Sequence, residues 1–252
     1  MSKFVDKLHN LSRTSVSPIG FHAAISKPVG SPMLLVAGLS GTGVKSTEAI
    51  ASVNADAGLI WSQGIKGRSL KRMIKAMGDI PLGVVVGGTD RERISDFVGS
   101  GCDFVVFDIK MSAAALDEKG VGKFLAIDTA LDIGLVKAVN ALDIDGVFLS
   151  KDEDLFITVE YLLVCRHFSE LLNKPLMISL TWPITDTELG NLRKAGVDGI
   201  VVPPAQSIEA LVKLREMIDN LPKEARRGQG KVVDVTLPHY EGDIVVEDEE
   251  EI

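Results

Sequence analysis

Histidine and cysteine are both scarce in this chain, with four copies of one and two of the other in 252 residues. Cys102 and Cys165 lie in apolar surroundings and form no CxxC pair. That excludes a disulfide framework and a thiol-redox motif, and leaves buried, reduced thiols as the expectation. No apolar run approaches the roughly 20 residues needed to cross a bilayer. The N-terminus, MSKFVDKLHNLSRTS, lacks the apolar core of a signal peptide. A soluble, cytoplasmic protein without membrane contact is expected. A basic stripe is missing too. The formal net charge is −8, and seven acids (Glu241, Asp243, Glu247, Asp248, Glu249, Glu250, Glu251) fall within residues 241–252 with no base among them. The rest of the chain stands at −1, which excludes the electrostatic footprint of a nucleic-acid binder.

What the chain does have is a repeated alternation. Short runs rich in Val, Ile and Leu occur at Pro32–Ala37, Gly58–Trp61, Pro81–Val86, Asp103–Ile109, Lys123–Asp128, Gly146–Ser150, Pro175–Leu180 and Gly199–Val202. Continuous apolar runs bounded by turn residues suit strands covered on both faces, as in parallel sheets. Between them, Arg68–Met77, Arg91–Val98, Asp154–Leu172, Asp186–Lys194 and Ser207–Leu221 carry apolar residues at helical spacing. Thr89-x-x-Glu92 and Thr185-x-x-Glu188 have the capping-box pattern. Gly and Asp precede several strands, as in Gly101-Cys102-Asp103 and Gly196-Val197-Asp198-Gly199.

Eight evenly spaced strand–helix units predict an α/β fold of the closed (β/α)8 TIM barrel type, a single domain over residues 31–222. An open doubly wound sheet is the alternative. Residues 1–30 form an N-terminal extension with a short helix at Phe4–Leu11, which either plugs the bottom of the barrel or leads into the first strand. Residues 223–252 form a C-terminal extension with strand-like pieces at Val232–Leu237 and Ile244–Val246, ending in the acidic tail.

In such a barrel the chemistry belongs at the C-terminal ends of the strands. His9, His22, His167 and His239 all lie away from those ends, with only His22 able to fold toward the mouth, so a histidine zinc site or a Ser-His-Asp arrangement is not expected. Acid–base work falls to carboxylates and lysines. Asp108 and Lys110 alternate with Phe104 and Val106 on the fourth strand, and Asp128 ends the fifth. If that face points inward, these groups can exchange protons with a substrate, or a lysine can form a Schiff base with a carbonyl. Asp108 and Asp128 can alternatively hold a divalent metal, or Asp108 and Lys110 form a structural ion pair. Lys151, at the end of strand six, is the second candidate lysine, beside the acids Asp152, Glu153 and Asp154. Candidate ligand-binding residues are Ser40, Gly41, Thr42 and Gly43 after strand one, Gly87, Gly88 and Thr89 after strand three, and Trp182 after strand seven. The first of these loops is not a Walker motif, because Val44 separates Gly43 from Lys45. It either cradles an anion on backbone N–H groups or is only a flexible turn.

Ser31–Met33 through Ala37-Gly38, Ala49, and Ala55–Ile60 resemble the opening of the nitronate monooxygenase and IMP dehydrogenase group of aldolase-type barrels. Pro175–Ile178 and Leu192–Ile200 resemble the last two units of the same group, and the matched segments span about a third of the chain. The resemblance implies a phosphate site, often for FMN, on glycines after strands seven and eight. This chain has Leu180-Thr181 and Pro203 at those places. Side chains crowd a phosphate there, and proline brings no N–H.

Three functions follow. The leading one is an aldolase-type enzyme, lyase-like, acting on a small carbonyl or carboxylate compound through the strand-end Asp and Lys groups. The second is an FMN-dependent oxidoreductase related to nitronate monooxygenase. The third is a non-catalytic barrel that serves as a binding or assembly subunit, alone or as a homo-oligomer, with the acidic tail meeting a protein partner.

Overall fold

The computed structural model describes residues 2–13, 31–40, 47, 50–61, 65–87, 92–150, 157–180, 183–204 and 206–222. Eight strands close on themselves in chain order: β1 (Leu34–Leu39), β2 (Ala57–Ile60), β3 (Leu82–Val86), β4 (Phe104–Asp108), β5 (Gly122–Asp128), β6 (Gly146–Ser150), β7 (Leu176–Ser179) and β8 (Gly199–Val202). Every pairing is parallel, and β8 returns to β1 with Leu34 opposite Gly199 and Ala37 opposite Val202. The expected TIM barrel is the observed fold. Its strands lie within two residues of the apolar runs seen in the sequence.

The helices are α1 (Lys3–Arg13), α2 (Gly67–Met77), α3 (Glu92–Gly99), α4 (Ile133–Ala138), α5 (Val159–Leu171), α6 (Asp186–Lys194) and α7 (Ile208–Asp219). Each buries one stripe, as with Leu70, Met73 and Met77 in α2. Ends are set by local chemistry. Thr158 caps α5 by accepting from the Tyr161 N–H, and Ser207 caps α7 by accepting from Ala210. Thr185 and Glu188 form a full capping box at α6. α5 therefore begins later than the apolar spacing from Asp154 predicts. The stretch between β4 and β5 makes a 3-10 turn at Ala113–Asp117 in place of an α-helix. α4, which helical spacing does not reveal, starts where Asp132 accepts from the Gly134 N–H at 2.8 Å.

Alternate residues of each strand separate two cores. The outward set, including Leu35, Val84, Val105 and Ile178, packs beneath the helices. The inward set, including Leu34, Val36, Leu59, Phe104, Val106, Phe124, Phe148 and Met177, fills the barrel. Phe4, Val5, Leu8 and Leu11 of α1 join the inward set, so the N-terminal helix plugs the bottom. Phe4 stacks on Phe104 at 4.5 Å, and Phe124 packs edge-on against Phe104 and Phe148. Asp103, at the start of β4, holds the plug by accepting from the Ser2 hydroxyl and from the Lys3 and Phe4 N–H groups. A carboxylate at a helix N-terminus satisfies donors that the helix leaves open.

Bulky rings need empty neighbours. A Cβ on Gly83 would fall 2.3 Å from the Phe104 ring, and one on Gly146 would fall 2.6 Å from Phe124. Gly83→Ala is therefore expected to destabilise the barrel by about 1–3 kcal/mol through overpacking. Urea denaturation at equilibrium reads this directly. An unchanged midpoint would mean that the Phe104 ring yields freely.

Candidate active site

The C-terminal mouth follows from the same alternation. Asp108 continues the inward series Phe104, Val106 of β4, and Asp128 continues Phe124, Ala126 of β5. Ser150 extends β6 beyond Phe148, and Ser179 extends β7 beyond Met177. Asp108 stands opposite Ala126, and Asp128 opposite Ser150. With neighbouring strands about 4.8 Å apart and the two acids offset by two residues, their Cα atoms lie roughly 8 Å apart. Both carboxylates are exposed, while Val85, Ala126 and Ser179 are half-buried although they point into the barrel. Water thus reaches the upper interior but not the Phe-filled bottom.

Both acids are held by the same turn. Asp108 Oδ1 accepts from the Lys110 N–H at 2.8 Å, and Asp128 Oδ1 accepts from the Ala130 N–H at 2.8 Å. A carboxylate bound to the amide two residues on is a common way to leave a strand. It also fixes each side chain, leaving Oδ2 of each without a partner among the described residues. β4 ends at Asp108, so the alternation does not extend to Lys110. That lysine sits exposed in the turn and meets Asp108 through its backbone, with no ion pair between the two side chains.

Of the other sequence-derived candidates, Ser40 is exposed just past β1, and Gly87 is half-buried just past β3. Gly41, Thr42, Gly43, Gly88, Thr89, Lys151 and Trp182 lie outside the described residues, as do the Thr89 capping box, residues 14–30 and the C-terminal extension. Sequence spacing did not single out Trp61 or Ser179. Both occupy inward positions at strand ends, and counting alternate residues from the buried core would have found them.

The remaining reactive groups stand elsewhere. Burial pushes the Cys102 thiol up to about 12, and Cys165 is also buried, so neither is a nucleophile. Burial likewise raises the Tyr161 phenol. His9 lies on α1 at the bottom of the barrel, and His167 on the exposed side of α5. Among the described residues, no three His, Cys, Asp or Glu side chains gather as a metal site. A divalent ion on Asp108 and Asp128 would need further ligands from the loops or from water. No described helix is long and apolar enough to cross a membrane.

The end of β8 tests the phosphate site implied for FMN. A Cβ on Gly38 would meet the Val202 carbonyl oxygen at 2.5 Å and the Pro204 nitrogen at 2.7 Å. The Val202–Pro204 backbone therefore lies directly against β1, and Pro203 and Pro204 carry no N–H. These residues do not fit a phosphate.

No family model and no curated protein matches the chain. Solved structures do. Tryptophan synthase from Mycobacterium tuberculosis, in a ligand-free mutant form, aligns with TM-score 0.61 at 10% identity, over 87% of this chain and 98% of that one. The tryptophan synthase α-subunit of Pyrococcus furiosus gives 0.56 at 14% identity, over 75% and 97% of the two chains. The Escherichia coli homocysteine methyltransferase MmuM gives 0.52 at 14%, over 73% and 95%. At these identities the likeness shows the fold alone. It is the TIM-barrel fold. None of the three is a nitronate monooxygenase or an IMP dehydrogenase.

Proposed function

We propose that this barrel is an aldolase-type enzyme acting on a small carbonyl or carboxylate compound, with Asp108 and Asp128 as its proton-transferring groups. The observation that carries this reading is the pair of inward carboxylates on neighbouring strands, each pinned through one oxygen with the other left open. A substrate held between them meets a carboxylate on each side, either of which can take up its proton and return it. Positioned general acid–base groups of this kind contribute about 10²–10⁴-fold in rate. The FMN reading draws no support from the described end of β8, which offers no phosphate donors; it would place the phosphate elsewhere, at Gly87-Gly88-Thr89, of which only Gly87 lies among the described residues. A Schiff-base version rests on Lys110 or Lys151. Borohydride trapping with small carbonyl compounds and mass spectrometry tests it, and no adduct on either lysine removes it.

Proton abstraction next to a carbonyl is visible without knowledge of the full reaction. Hydroxyacetone and pyruvate, incubated with the protein in D2O, should lose the proton signals adjacent to their carbonyls faster than in buffer. Asp108→Asn and Asp128→Asn should each slow this exchange by about 10²–10⁴-fold while the protein stays folded, because an asparagine oxygen accepts the same turn hydrogen bond. If the unaltered protein exchanges neither compound, the enzyme reading fails.

A further inference from the structure

We infer that the mouth selects a neutral carbonyl compound with a flat apolar face and hydrogen-bond donors at its far edge, and that Trp61 determines this specificity. The inference rests on the reading of the mouth as the active site. Trp61 follows the last residue of β2, and its N–H donates to the Leu39 carbonyl at 3.2 Å. The β1–β2 ladder therefore continues through it, and it keeps the inward alternation of Ala57 and Leu59. The indole is 38% exposed, unlike the buried inward residues beneath it, and among the described residues it pairs with no other ring. An indole left facing water at the mouth is an open stacking surface.

The opposite wall is different in kind. In the closed strand order, β2 lies four strands from β6, directly across the barrel. That side carries Asp108, Asp128, Ser150 and Ser179 on β4 to β7. Ionised carboxylates only accept hydrogen bonds, and the hydroxyls adapt. Among the described residues no lysine or arginine occupies an inward position at the upper end of a strand, so an anionic group placed against Asp108 and Asp128 meets like charge there. The ligand would sit at the upper end of the barrel interior, where Val85, Ala126 and Ser179 are half-buried and Ser150 and both carboxylates are exposed, above the buried Val106 and Phe148.

Isothermal titration with two matched probes separates the parts of this inference. In 4-(hydroxymethyl)benzaldehyde a flat ring carries a carbonyl and a neutral donor; in 4-carboxybenzaldehyde the donor is replaced by an anion. The first is expected to bind at least tenfold more tightly. Trp61→Ala should weaken it by roughly three- to tenfold, as loss of an aromatic pair implies, and Trp61→Phe should restore most of that. Asp128→Asn should narrow the gap between the probes. Equal or reversed preference, no binding of either probe, or an unaffected Trp61→Ala overturns the inference. Those outcomes leave the exchange of hydroxyacetone and pyruvate untouched. Conversely, ring binding without any exchange overturns the enzyme reading and keeps the ligand site.

Discussion

Replacing Arg215 with alanine is expected to lower the stability of the barrel by about 3–5 kcal/mol, the usual consequence of leaving a buried charge without its partner. Arg215 projects from α7, and its side chain is only 9% exposed. One Nη donates to Asp56 Oδ2 at 2.9 Å, the other donates to the Ser31 hydroxyl at 2.6 Å, and Nε donates to Asp219 at 3.1 Å. Asp56 in turn accepts the Leu35 N–H at the start of β1. One guanidinium thus ties the last helix to the approach to β1 and to the turn before β2, next to the seam where β8 meets β1. In a chain of this size such a loss corresponds to a fall in Tm of roughly 6–20 °C. Arg215→Lys, which keeps the charge but not the planar fork, should fall between the two. A loss below about 1 kcal/mol in the alanine variant would show that Asp56 is satisfied without this contact.

Phe4→Ala should cost a similar amount, about 3–5 kcal/mol, through the cavity it opens. Phe4 is fully buried and sits 4.5 Å from Phe104 and 5.3 Å from Phe124 between ring centroids. Its removal leaves the two largest inward rings of the bottom layer without their cover. The site is far from the mouth, so carbonyl-proton exchange per folded molecule should be unchanged. Equilibrium denaturation followed by circular dichroism gives the size of the effect. A wild-type curve would mean that α1 opens independently of the barrel it plugs, and Lys3→Ala serves as a surface control on the same helix.

The two positions differ in how far the sequence announces them. Phe4 falls within an amphipathic segment that was readable as a short helix, with plugging and lead-in both open as its role. Arg215 shows nothing in its neighbourhood to suggest Asp56, which is 159 residues away. The mouth divides in the same way. Asp108 was readable as an inward group by alternation alone, provided the face was known. Lys110 was placed beside it by the same rule, and the rule lapses where β4 ends and the Asp108 turn begins. Trp61 and Ser179 looked like ordinary strand residues.

Continuous apolar runs bounded by turn residues, helical spacing, the Thr185–Glu188 capping box and the Gly and Asp that precede several strands are local patterns. The sequence alone therefore determined the eight strand–helix units and their order, from which the barrel fold class was legible. Closure, register and filling are not local. Which alternate face points inward, which glycine stands beside which phenylalanine, that α1 enters the bottom, and that Trp61, Asp108 and Asp128 share the inward face at one end of the barrel were decided only when β8 met β1. Those contacts depend on residues scores of positions apart, and no spacing rule reaches that far.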